Sequence, residues 1–318
     1  MKTFVLVLAA SLAGGGALAQ TTTPEALALL RKMYEASQRL SYTGVFVYEQ
    51  GDRTETSRMT RIAGTDGGVE RLEVLGDSPR EVIRSGGTVR CYYPDRQLVK
   101  VERQAVRAQF PALVPERFTE LARHYHIVRG GNARIAGIEC ESVILVPHDG
   151  LRYGHKLWAD ARTGLLLRAR TVNDKGETVE QYTFTQIQIG KVPRAAVRPR
   201  PVGAGWRVEE ANATPASLAE VGWSVAPELP GFRKVAELRR ALGEAHSVGQ
   251  VVYTDGLASL SVFIEPLSAR PATPHGLSRV GAIHIVTREV ADHLITVVGE
   301  TPAASVQRLA ESVRYRRP

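Results

Sequence analysis

Apolar and polar residues alternate along much of the first 190 positions, most plainly between Asp66 and Asp95. Three runs there have β character, Val69–Leu75, Arg80–Arg84 and Thr88–Tyr93, separated by the turn signals Gly76-Asp77-Ser78-Pro79 and Ser85-Gly86-Gly87. Connections this short predict antiparallel hairpins. Leu72 and Val74 share one face and Arg71 and Glu73 the other, so the pattern predicts a sheet with one dry and one wet side. Upstream, Tyr42, Gly44, Phe46 and Tyr48 fall on one face of a strand for which Arg53–Ile62 is the returning partner, and Gln97–Arg103 follows the meander. The rhythm resumes at Tyr125–Val128, Ala133–Ile135, Ile138–Val146, Arg152–Ala159, Leu165–Val172 and Val179–Gln188.

Two stretches carry helical rather than β spacing. Thr23-Pro24-Glu25 supplies an N-cap hydroxyl, a proline in the first turn and an acid, and Leu27, Leu30 and Tyr34 follow at helical intervals toward Arg39. Phe110–Pro115 places two prolines in an apolar segment, which predicts an ordered loop or lid, and Pro115–His124 reads as a short helix with Phe118, Leu121 and Ala122 on its apolar stripe. About ten antiparallel strands make a sheet large enough to curl, with the first helix placed to cover its concave face.

The texture changes after Gly190. Pro193, Pro199, Pro201, Gly203, Gly205 and Pro215 fall close together with Arg194, Arg198 and Arg200 among them, which predicts an interdomain linker over 191–216. A smaller α+β unit occupies 217–318. Its strands are expected at Gly222–Val225, Val251–Tyr253, Ala258–Glu265, Ala282–Glu289 and His293–Gly299, with Phe232–Leu242 as a strand running into a loop. Thr301-Pro302 is expected to cap a final helix that turns Val306, Leu309, Ala310 and Val313 to one side.

Composition changes this picture at the amino terminus. Met1-Lys2, the apolar run Phe4–Ala13 and the small-residue site Ala17-Leu18-Ala19 read as a secretory signal peptide over 1–19, with the mature chain starting near Gln20. That run is too short to span a bilayer, and no cysteine stands at the cleavage site to carry a lipid. The expectation is a soluble, exported, periplasmic protein. The 318 residues carry 41 Lys and Arg against 33 Asp and Glu, a net of +8 that becomes +7 once Lys2 is removed. Acidic peptides and lipid head groups suit that charge, and nucleic acid does not suit an exported chain. The two cysteines, Cys91 and Cys140, lie in predicted strands far apart in sequence. A disulfide and two buried thiols are both compatible with that placement.

Candidate chemistry is sparse. The chain contains no G-x-S-x-G elbow, H-E-x-x-H, P-loop or G-x-G-x-x-G after a strand. His124 and His126 could face one way, but no third ligand has a supporting spacing, so no metal, cofactor or catalytic residue is assigned. Glu139 and Glu141 flank Cys140 and read as a solvated strand face. What remains is the apolar inner face, for which Phe46, Tyr48, Leu72, Val74, Tyr93, Leu145 and Trp158 are the candidate liners, either as plain core under a helix or as the wall of an acyl-chain cavity.

Glu70–Pro94 with Pro79-Arg80-Glu81-Val82, Arg134-Ile135-Ala136-Gly137 before Cys140, Asp149-Gly150-Leu151-Arg152-Tyr153 and Asp174–Gln181 together resemble the RseB/MucB family of periplasmic regulators of the extracytoplasmic stress sigma factor. Tyr253-Thr254-Asp255-Gly256-Leu257 and Val297-Val298-Gly299-Glu300-Thr301-Pro302 resemble the family's carboxy-terminal domain. The resemblance implies a LolA/LolB-like antiparallel half-barrel with covering helices over 20–190, followed by the smaller α+β domain. It implies a non-enzymatic protein that binds the periplasmic domain of an RseA/MucA-type anti-sigma factor, shields it from regulated proteolysis and releases it on a lipid or lipopolysaccharide signal. A periplasmic lipid or lipoprotein carrier using the half-barrel cavity is the alternative. Monomer and homodimer are both open.

Overall fold

The structure is a computed structural model that describes residues 22–65, 67–103, 118–211, 213–242, 246–269 and 275–317. The expected signal peptide and the Phe110–Pro115 loop lie outside these residues. One large sheet is built from β1 (Tyr42–Gln50), β2 (Arg53–Ile62), β3 (Val69–Val74), β4 (Glu81–Ser85), β5 (Thr88–Tyr93), β6 (Leu98–Arg103), β7 (Tyr125–Arg129), β8 (Ala133–Ile135), β9 (Ile138–Pro147), β10 (Gly154–Asp160), β11 (Leu166–Val172), β12 (Thr178–Ile189) and β13 (Arg207–Ala211). Its order is β13-β6-β5-β4-β3-β2-β1-β12-β11-β10-β9-β7, with β8 also paired to β9. All of these pairings are antiparallel except β13 with β6.

Helix α1 (Pro24–Arg39) starts as its sequence predicts, with the Thr23 hydroxyl accepting from the Ala26 amide at 3.3 Å. Its buried stripe is Ala26, Leu29, Leu30, Met33 and Ala36, packed over β7, β9 and β11. Leu27 and Tyr34 sit at the stripe's margin, where the Tyr34 ring meets Phe118 of the short helix α2 (Phe118–Leu121) edge-on. The core beneath is contributed by Ile127, Val143, Leu145, Leu157, Leu167 and Ala169, continuing into the aromatic cluster of Tyr42, Phe46, Tyr182 and Phe184. Gly44 is required where β1 presses against β12. A Cβ there would lie 2.6 Å from the Gln186 carbonyl oxygen and 2.9 Å from the Phe184 ring, beside the bulge at Val45/Phe46. Gly44→Ala is expected to destabilise the protein by about 1–3 kcal/mol through overpacking. A thermal denaturation midpoint equal to that of the parent would contradict this.

The second sheet runs β14-β16-β17-β18-β21-β20-β19, from β14 (Ala213–Pro215), β16 (Arg233–Leu242), β17 (His246–Thr254), β18 (Ser259–Pro266), β19 (Gly276–Val280), β20 (Ile283–Val290) and β21 (His293–Gly299). Helix α3 (Ala303–Ser312) packs Val306, Leu309 and Ala310 against it, while β15 (Trp223–Val225) and β22 (Val313–Tyr315) form a separate pair. Thr301 does not cap α3. Pro302 holds the N-cap position, and the buried Thr301 instead offers its carbonyl to His284 Nδ1 at 2.7 Å.

One expectation is corrected here, and one choice left open is decided. The face of β3–β6 that carries Arg71 and Glu73 is not wet. Ile83, Tyr92, Val99 and Val101 are buried on it beside Val69 and Trp206. The cover is the stretch expected to be the interdomain linker. A 3-10 turn at Arg194–Val197 lies over β2 and β3, the Ala196 carbonyl accepts from Arg71 at 3.1 Å, and β13 extends the sheet. Cys91 and Cys140 form no disulfide, because β5 and β9 are separated by seven intervening strands. Burial pushes the Cys140 thiol up to about 11 and raises that of Cys91, so both stay protonated.

Candidate functional site

Register decides which of the candidate liners reach the inner face. Phe46 pairs with Ser57 and Ser57 with Val74, while Gly44, Met59 and Leu72 form the next row, so these side chains share the side on which α1 lies. Phe46, Val74 and Leu145 are buried there as core. Leu72, Cys91 and Tyr93 are only half-buried, because α1 lies over the β7–β11 half of the sheet and leaves the β3–β6 half to other cover. Trp158 is a correction. It pairs with Arg168 and Ser142 on the opposite face, and its ring lies 5.6 Å from both the Arg168 and Arg170 guanidiniums. Alternation in β10 puts Leu157, not Trp158, toward the helix, and the register shift against β11 comes only after Trp158.

Charge also enters the inner face. Arg61, Glu70 and Arg84 lie in one row at the end of the sheet where β1 begins. There Arg61 pairs with Glu70, and Arg84 reaches the other Glu70 oxygen at 3.2 Å. Arg61 also donates to the Gln38 carbonyl in the last turn of α1, where the helix dipole favours a cation.

The opposite rim of the large sheet is where the second unit docks. Tyr48 at the end of β1 donates to Glu180 Oε2 at 2.6 Å and accepts from Gln50, and a Cβ on Gly281 would collide with the Gln50 side chain. Tyr153, Val179 and Ala282 form a small apolar cluster across the boundary. Leu257 of the second unit joins the first unit's core, and Leu151 of the first joins the second's. Ser305 of α3 donates to the Leu151 carbonyl.

At the centre of this seam sits Arg152, with its side chain 0% exposed. Its guanidinium lies 3.6 Å from Asp255 and 3.5 Å from Asp149, donates to the Pro230 carbonyl, and stands 5.0 Å over the Phe232 ring and 5.7 Å over that of Tyr125. The Asp255 side chain, equally inaccessible, is shared between two duties. Oδ1 accepts from the Leu257 and Ala258 amides and so shapes its own turn, while Oδ2 accepts from the Tyr125 hydroxyl at 3.0 Å. His155 is buried next to them, its ring 6.4 Å from that of Tyr125. Burial holds its pKa down at about 4, with the Asp255 charge pulling partly the other way.

The segments that meet here are 149–153, 253–257 and the end of 297–302. Each was legible as a motif, but their convergence was not. His124 and His126 do not act together. His126 packs against His148 at 4.1 Å between ring centroids, and His124 abuts Gly231. Glu139 and Glu141 pair with Arg134 and Arg129. The arrangement holds charges, rings and carbonyls in fixed contact between two units, which is what a surface spanning both units requires.

Comparison with known proteins agrees with this two-unit construction. The MucB/RseB N-terminal domain family matches residues 25–205 and the MucB/RseB C-terminal domain family matches 217–314. The chain is 31% identical over 306 residues to the sigma factor AlgU regulatory protein MucB of Pseudomonas aeruginosa, covering 94% of this chain and 93% of that protein. It is 26% identical over 303 residues to the sigma-E factor regulatory protein RseB of Escherichia coli, covering 93% and 92%. The crystal structure of MucB in complex with MucA(peri) superposes with a TM-score of 0.70 at 28% identity, over 92% of this chain and 100% of that one. These matches span both sheets and the seam between them, and the chain belongs to the MucB/RseB family.

Proposed function

We infer that this protein binds the periplasmic segment of an RseA/MucA-type anti-sigma factor and withholds it from regulated proteolysis, and that a lipid or lipopolysaccharide-type signal releases it. The observation that carries the reading is the seam. Arg152, Asp255 and Tyr125 lock the two units into one continuous surface, in a chain similar along its length to a MucB crystallised in complex with MucA(peri). A protease needs its substrate extended and accessible, and a stable interface of about 1,600 Å² in total is within reach of a two-unit surface. The reading places the mature chain in the periplasm and makes it a binding protein rather than a catalyst.

The half-buried Leu72 and Tyr93 on the inner face favour a second reading, a lipid or lipoprotein carrier. One experiment separates the two. Mature protein is mixed with the periplasmic segment of the host's anti-sigma factor and its site-one protease, with and without lipopolysaccharide. Protection relieved by lipopolysaccharide is the expected result. Binding without protection would remove the occlusion mechanism, and lipid binding without any affinity for the segment would leave the carrier.

A further inference from the structure

A groove of about 590 Å³ lies between the outer face of the large sheet and the 194–199 stretch. Ile62 pairs with Val69, and Arg71 pairs with Ile83, which pairs with Arg90, so Ile62, Val69, Ile83 and Arg90 share the face opposite Leu72 and Val82. The floor and far wall are apolar, from Ile62, Val69, Ile83 and Val197. Arg90 enters from β5, and Arg194 and Arg198 enter from the covering stretch. The covering stretch is pinned beside the groove, at Ala196 by Arg71 and at Arg200 by Glu81, 3.7 Å away. The groove is therefore a built recess and not a gap under a loose chain. A side chain at Gly68 would strike the Ile62 carbonyl at 2.2 Å, so the near wall also depends on that glycine's positive φ of 74°.

We propose that this groove is a binding site for a single-chain amphiphile with an anionic head group, separate from the concave face and going beyond the anti-sigma reading. Among the described residues, Arg90, Arg194 and Arg198 make no ion pair or hydrogen bond through their guanidiniums, in contrast to Arg61, Arg71, Arg84 and Arg152, which are all paired. Three unpartnered guanidiniums at the rim of an apolar trough complement a carboxylate or phosphate at the end of a hydrocarbon tail. The volume lies within the roughly 300–1,000 Å³ of small-molecule pockets. That is room for one acyl chain and not for a many-chained lipid.

The test uses the mature full chain and dodecanoate below its micelle concentration, read by titration calorimetry. Binding of one dodecanoate is expected to weaken at least tenfold in the Arg90→Gln/Arg194→Gln/Arg198→Gln variant. Decanoate should bind about fifteenfold more weakly than dodecanoate, from about fourfold per buried methylene. A zwitterionic lysophosphatidylcholine of equal tail length should also bind at least tenfold more weakly. A diazirine-bearing fatty acid should crosslink to the 62–69 and 194–199 segments, a readout that needs no variant. Crosslinks confined to Leu72, Cys91 and Tyr93, equal binding of the zwitterion, or an unaffected triple variant would each overturn the assignment. A diacyl anionic lipid competing as well as dodecanoate would overturn the single-chain choice. Protection of the anti-sigma segment is a separate readout, so failure here leaves that reading standing.

Discussion

Asp255→Ala is expected to destabilise the protein by about 3–5 kcal/mol, because it leaves the Arg152 guanidinium buried with its fully buried counter-charge gone. Arg152 has no route to water where it stands, and neither Nε nor Nη1 has a hydrogen-bond partner among the described residues. Its remaining supports would be Asp149, the Pro230 carbonyl and two aromatic faces. Asp255→Ala also strips the acceptor from the Tyr125 hydroxyl and from the two amides of its own turn. Arg152→Met should cost less. It keeps the volume against Phe232 and Tyr125, and Asp255 retains the hydroxyl and both amides. The double variant should recover part of the loss, with a coupling of about 1–3 kcal/mol, since both changes act on one contact. Urea denaturation of the four proteins measures this directly. A loss below 1 kcal/mol in Asp255→Ala, or strictly additive effects, would mean the pair does not hold the seam. The same variant should protect the anti-sigma segment poorly if the continuous surface is what binds it.

How much of this was readable in the residues depends on where apolar positions alternate. The runs at Arg53–Ile62 and Thr88–Tyr93 emerge in the structure with the same limits, each entered from a glycine turn, at Gly51 and at Gly86-Gly87. Phe232–Leu242, expected to fade into a loop, is a strand from Arg233 onward, held by β17 on one side. β13, β14, β19 and β22 were not visible. They are three to five residues long and lie at edges or in a separate pair, where pairing rather than side-chain pattern defines the strand. The packing of the covering stretch is hidden for a different reason. Proline and arginine have the same composition whether a segment is solvated or laid across a sheet. The residues that point to a cover are Trp206, a large apolar ring in an otherwise polar linker, and Ile83, Tyr92, Val99 and Val101 on the face that carries Arg71 and Glu73. The seam was out of reach for a geometric reason, since Tyr125 and Asp255 are 130 positions apart and no local pattern encodes a contact at that separation.

Acidification is expected to loosen the same seam through His155. The ring is buried, 5% exposed, and neither nitrogen has a hydrogen-bond partner among the described residues. The charge that acts on it is that of Asp255, itself engaged with Arg152. With a folded pKa of about 4 against 6.5 in the unfolded chain, the folded form refuses a proton that the unfolded form accepts throughout that interval. The full contribution of the neutral imidazole is therefore present above pH 6.5. It declines as the pH falls and levels off below about 4, a total loss of about 3 kcal/mol at about 1.4 kcal/mol per pKa unit. Other carboxylates also weaken the fold in acid, so the informative quantity is the difference between the parent and His155→Leu. The variant removes two unsatisfied buried nitrogens and should be as stable as the parent at pH 7.5 or slightly more so. By pH 4.5 it should be more stable by about 2–3 kcal/mol. Urea midpoints at pH 7.5, 6.0 and 4.5 give the comparison, and parallel pH curves for the two proteins would exclude His155 as the acid-sensitive group. If the seam aligns the partner surface, protection of the anti-sigma segment should fall between pH 6.5 and 4.5 in the parent and persist in His155→Leu. The acid response of binding would then trace to one imidazole held neutral between the two units.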